Sequence, residues 1–185
     1  IREPIRCFEY YGKFYVQEGN KRVSVLRYFE APTVPAYVTR LMPTDTDSPR
    51  YALYQEFLEF FRIARLYQVQ FTTSGSYRKL LVKLEGAQEP WTAAYRQSFL
   101  SSFLRFEEAL RGQVFLRGLS TADALLVFLR YHPFSAIREM DTDTLKNAVG
   151  LLQSDINTLA HPNPVAVSAE PTASEVRDPS RYALF

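Results

Sequence analysis

The chain has 185 residues, 46% of them hydrophobic and 15% aromatic, with a formal net charge of +2. That apolar content sustains a core of ordinary size and excludes a disordered or fibrous chain, and no stretch reaches the roughly 18 consecutive apolar residues of a membrane span. One cysteine, Cys7, excludes an internal disulfide and fits a reducing cytoplasm, and with only His132 and His161 beside it a Cys/His zinc cluster is arithmetically impossible.

Along the chain, residues 5–18 are two short runs rich in aromatic and β-branched residues with Gly12-Lys13 between them, which predicts a β-hairpin. From Lys21 to Phe29, Val23 and Leu26, with Val25 and Phe29 less regularly placed, form a helical stripe that Ala31-Pro32 stops. Thr33 to Leu41 has Val34, Ala36 and Val38 spaced by two between prolines, which predicts another strand ending before Pro43. Residues 1–43 therefore read as a β-β-α-β unit.

Beyond the turn-forming run before Arg50 the apolar period changes from two to about 3.6, and residues 44–160 read as about five helices packed on that unit, an α+β architecture. The first carries Leu53, Phe57, Phe60 and Ala64, with Tyr54, Leu58 and Phe61 beside them. Ser76 is expected to cap a second that begins at Tyr77 and turns Leu80, Leu81 and Leu84 inward. Glu89-Pro90-Trp91 reads as the start of a third, with Tyr95, Phe99, Phe103, Phe106 and Leu110 on one face. Ser120 and Asp123 open a fourth in capping-box style, ended by Pro133, and Leu145, Val149, Leu152, Ile156 and Leu159 mark a single final helix. Residues 161–185, with Pro162, Pro164, Pro171 and Pro179, read as a linker or disordered tail. The start at Ile1 and this tail lead us to expect a longer, multidomain protein.

One segment carries candidate chemistry. A glycine between a strand and a helix lets the backbone turn sharply beside a ligand, and free amides at a helix start attract anions. Gly19 has that setting. Lys21 and Arg22 add positive charge, Glu18 or Asn20 offers oxygen to a hydroxyl or a hydrated cation, and Ser24 follows one turn on. Composition alone favours a plainer alternative, in which Gly19 turns, Asn20 caps and Lys21-Arg22 are solvated. Residues 1–83 are basic, with 13 Lys and Arg against 8 Asp and Glu, yet without the clustered stripe of a dedicated nucleic-acid binder.

The run Gly12-Lys-Phe-Tyr-Val-Gln-Glu-Gly-Asn-Lys-Arg-Val-Ser-Val-Leu-Arg-Tyr-Phe29, followed by a strand, resembles the core motif of the ParB/sulfiredoxin-like superfamily over about residues 5–43. In that superfamily a strand delivers a Gly-x-x-Arg segment into a helix start that binds a nucleoside triphosphate, CTP with magnesium in ParB proteins on DNA and ATP in sulfiredoxin. The resemblance implies phosphate contacts from Gly19 and Arg22, with Asn20, Lys21 and Ser24 beside them, and Mg²⁺ with CTP or ATP as cofactor. Asn20 stands where sulfiredoxin has cysteine, so its repair chemistry is not expected, and Asn20-Lys21 replaces the Glu-Arg usual in ParB-type sequences.

The resulting expectation is a bacterial, cytoplasmic, ParB-like regulatory module that binds a nucleotide or other phosphorylated ligand at Glu18–Arg22. An effector domain in the same chain and a homodimer are the further partners it admits; DNA is not favoured, and no membrane or protein-held metal is expected. The alternative is a degenerate ParB-like module for protein or DNA interaction without nucleotide binding, its aromatic helices forming the working surface. An enzyme using Glu18 as base ranks last.

Overall fold

The computed structural model describes residues 3–31, 33–84 and 89–160, so the linker expected over 161–185 lies outside the described residues. The chain divides into two compact units after Thr46.

The first unit contains β1 (Ile5–Tyr10), β2 (Lys13–Glu18), α1 (Asn20–Tyr28) and β3 (Ala36–Arg40). Its sheet has the order β2-β1-β3, with β1 antiparallel to β2 and parallel to β3. The hairpin turns at Tyr11-Gly12 rather than Gly12-Lys13, because a two-residue turn between twisted strands needs positive φ at both positions, and these two have φ 52° and 76°. Lys13 is thereby the first residue of β2, opposite Tyr10. Strand alternation places Ile5, Cys7 and Glu9 on the buried face, with Phe14 and Val16 beside them in register. In α1 only Val23 is buried and Leu26 half-buried; Val25 and Phe29, expected on the same stripe, are exposed.

The second unit is helical: α2 (Pro49–Ala64), α3 (Ser76–Lys83), α4 (Ala93–Leu110), α5 (Thr121–Phe128), α6 (Ala136–Glu139), α7 (Thr142–Gly150) and α8 (Gln153–Ala160). Phe57 and Phe60 of α2, Phe99, Phe103 and Phe106 of α4, and Leu125 and Phe128 of α5 form the core, as their 3.6 periodicity predicts. The Ser120–Asp123 capping box is complete in both directions.

Among the described residues seven helices replace the five expected. The short α6 has no periodic signal of its own, and the single stripe from Leu145 to Leu159 is divided at Leu151-Leu152. Gly150, a weak helix former, precedes the break, and α7 packs against α4 whereas α8 packs against α5. A straight helix cannot follow both neighbours. Helix α4 also begins at Ala93, not at Glu89-Pro90-Trp91: Thr92 caps it by accepting from the Tyr95 amide, while the Trp91 amide turns back to the Ile63 carbonyl at 2.9 Å. Helix α5 stops at Phe128, ahead of Pro133.

Candidate functional site

β2 runs directly into α1 with a single intervening residue, Gly19, at φ 102° and ψ 19°. This left-handed conformation disfavours any residue with a Cβ. A second constraint is steric, since a Cβ at Gly19 would fall 2.6 Å from Ile5 Cγ2. The glycine is therefore required by its own fold, for the close approach of Ile5 as well as for the turn.

Asn20 is the first helical residue and not the cap, and no side chain caps α1. The Gly19 carbonyl accepts from the Val23 amide at 3.0 Å, which leaves the amides of the first turn without intrahelical acceptors. Lys21 and Ser24 are exposed beside that turn and make no ion pair or side-chain hydrogen bond among the described residues.

Arg22 and Glu18 are differently placed. The Arg22 guanidinium donates to the backbone carbonyls of Glu3 and Pro4, the latter at 3.3 Å, and lies 3.9 Å from the Glu3 carboxylate. It ties the residues leading into β1 to the start of α1. Glu18 pairs with Arg6 at 3.6 Å, both largely solvated, so a measurable contribution to stability is not expected of that pair.

Glu9, unremarked in the sequence, is the most buried charged residue among the described residues of this unit, at 0% exposure. Its carboxylate accepts from the Gly12 amide at 2.6 Å and from Arg40 Nε, joining the hairpin turn to the end of β3. Its strand alternation places it inward, which is the signal that reveals it. On the same face an apolar depression of about 340 Å³ opens between Ile5, Cys7, Val16, Val23, Val34 and Val38. Burial there pushes the Cys7 thiol above its ordinary pKa, which keeps it protonated and unreactive.

The turn that opens α3, where Ser76 is the expected cap, is closed by a carboxylate. Gly75, not Ser76, is the N-cap of α3, and the Glu56 carboxylate from α2 accepts from the Gly75 amide at 2.8 and 2.7 Å. A side-chain anion supplied by the protein itself holds that turn. His132, in the turn after α5, packs its ring on Phe128 with centroids 4.7 Å apart, as a helix-end histidine would. Tyr77 is buried, its hydroxyl donating to the Val69 carbonyl at 3.3 Å and accepting from the Phe71 amide at 3.4 Å. Burial foremost, with the Asp123 and Glu56 carboxylates adding to it against the Phe71 amide, raises its pKa well above the ordinary value of 10.

The fold and these sites define an α+β chain of two units with a basic, uncapped helix start in the first. No protein-family model, curated protein or solved structure matches the chain. Among the described residues no helix is long and apolar enough to cross a membrane.

Proposed function

We propose that the chain is a ParB-like regulatory module that binds a nucleotide or another phosphorylated ligand at the Glu18–Arg22 junction. The observation that carries the reading is the start of α1: a left-handed Gly19, no side-chain cap, and Lys21 and Ser24 exposed beside the first-turn amides. Helix amides and a solvated lysine at one place form a phosphate-binding arrangement. Glu18 is the carboxylate in the motif and is turned to Arg6, so Mg²⁺ would be held chiefly by the ligand's own phosphates, with Glu18 or Asn20 supplying at most one oxygen. Glu18 as a general base would have to leave Arg6, and loss of nucleotide turnover in Glu18→Gln would reveal that role. A bacterial cytoplasmic setting and a linked effector domain belong to the same proposal.

Calorimetric titration with CTP, ATP and GTP, each with and without magnesium, tests it. Lys21→Ala is expected to weaken the bound nucleotide about 10-fold while leaving the fold unchanged, since one charge-assisted contact is lost from an exposed position. No binding by any of the three, together with an Arg22→Ala variant that behaves as the parent in a wider ligand screen, rejects the proposal.

A second reading, an interaction module whose nucleotide pocket is degenerate, is favoured by the local roles of Arg22 and Gly19, both accounted for by Glu3, Pro4 and Ile5 without a ligand. The aromatic side chains of α2 and α4 are largely core and cannot serve as its working surface. The apolar depression beside β1 takes that place.

A further inference from the structure

A second basic site lies wholly within the helical unit. Between α3, α5 and α8 a hollow of about 310 Å³ is bordered by Lys79, Lys83 and Arg130, with the hydroxyl-bearing Thr73 and Ser76 at one end and Leu126, Val127 and Leu159 as its apolar wall. Lys79 and Lys83, one turn apart on α3, present two ammonium groups to one side. Arg130, just beyond α5, adds a guanidinium from another element.

No carboxylate lies within ion-pair distance of these three cations among the described residues. Asp123, the one acid in the wall, is otherwise engaged: its oxygens accept from the amides of Thr72 and Ser120 and from both of their hydroxyls. It reduces the local positive charge but does not pair with it. Three like charges around a concave surface repel one another unless an anion or solvent screens them.

Ser76 supplies an independent sign of a ligand. The residue is only 4% exposed, yet its hydroxyl has no hydrogen-bond partner among the described residues. The oxygen is not sealed off, since among the described residues Trp91 Nε1 is the buried side-chain polar atom left wholly enclosed without a partner. A buried residue that lines the basic hollow and whose hydroxyl has no partner is placed to donate to an anion.

We infer that this hollow is a binding site for a small phosphomonoester. A phosphate dianion offers three equivalent oxygens, which suits the two lysines as point charges, the planar fork of Arg130 and the Ser76 hydroxyl. The remaining volume, walled by Leu126, Val127 and Leu159, takes a compact apolar or aromatic group attached to the phosphate. The site is separate from the α1 junction and does not depend on it.

Titration of the full chain with inorganic phosphate and with phenyl phosphate, read by calorimetry and ³¹P line width, tests the site. Phenyl phosphate should bind about 10-fold tighter than phosphate because its ring meets the apolar wall. Lys79→Gln and Lys83→Gln should each weaken it about 10-fold and Arg130→Lys about 3-fold. Ser76→Ala, which removes one buried oxygen and keeps the volume, should cost about 5-fold. Both lysines are exposed, so circular dichroism of those variants should match the parent. Absence of saturation by phenyl phosphate at about 10 mM, or parent affinity in both lysine variants, overturns the inference. So does displacement by a single-stranded oligonucleotide whose affinity grows with length, which would make the hollow part of a nucleic-acid path.

Discussion

Between Asp47 and Ala160 the chain buries Phe57, Phe60, Phe99, Phe106 and Phe128 to 2% exposure or less, whereas between Glu3 and Thr46 the buried apolar side chains among the described residues are Ile5, Cys7, Val23 and Pro43. The same first unit leaves Val25, Tyr28, Phe29, Tyr37 and Met42 more than half exposed. A module of fewer than about 50 residues cannot remove much apolar surface from water, so its cohesion depends on directional contacts. These are present: the buried Glu9 joined to Gly12 and Arg40, and Arg22 joined to the carbonyls of Glu3 and Pro4. The helical unit rests on dispersion and the hydrophobic effect, which are insensitive to the exact partner; the β-β-α-β unit rests on a few polar links and one glycine.

Three perturbations sharpen the contrast. The largest effect is expected from Phe106→Ala, which empties a fully buried position in α4 and should cost about 3–5 kcal/mol. Urea unfolding followed by the fluorescence of Trp91, the single tryptophan and itself buried in that unit, measures it. A change below about 1 kcal/mol would mean that the core is looser than its packing indicates.

Gly19→Ala comes next, at about 2 kcal/mol, because it combines a left-handed φ with the approach of Ile5 Cγ2. Amide exchange in β1 and β2 is the appropriate readout, and faster exchange there is expected without a comparable change in α4 and α5. Equal exchange in the parent and the variant would show that the junction relaxes without strain, and the glycine would then have to be explained by a ligand.

Tyr77→Phe is the smallest, about 1 kcal/mol at neutral pH from the lost hydroxyl contacts. Its pH signature is more diagnostic. Because the folded state holds the phenol pKa above 10, the unfolded chain ionises first; the stability due to the neutral phenol is complete below about pH 10 and declines as pH rises beyond it. The parent should therefore lose stability on the alkaline side, and Tyr77→Phe should flatten that slope. An unchanged slope would assign the alkaline loss to other groups.

Much of this architecture is legible in the residues alone, for reasons that are local. Alternation in residues 5–18 and the 3.6 period of Phe99, Phe103, Phe106 and Leu110 define strands and helices because each reports which side of a short segment meets a core. The Ser120–Asp123 box works within one turn, and so it too is readable. Element boundaries move, with Thr92 displacing Glu89 as the start of α4; the Leu145–Leu159 stripe keeps its phase while the backbone breaks beneath it, and the four-residue α6 is too short to show a period.

The candidate site divides in the same way. The strand-glycine-helix junction follows from residues 13–24, but the engagement of Arg22 with Glu3 and Pro4, and of Gly19 with Ile5, joins segments that no short-range pattern connects. Glu56 reaches Gly75 across 19 positions and Glu9 reaches Arg40 across 31. Lys79, Lys83 and Arg130 border one hollow because α3 and α5 are packed neighbours. Sequence by itself determined the kinds and order of the longer elements and the faces that α2, α4 and α5 bury, since those follow from backbone preference and the solvation of neighbouring residues. Tertiary structure alone decided which charges are enclosed, which helix starts are already supplied with an anion and which remain open, because those depend on distances between residues far apart in the chain.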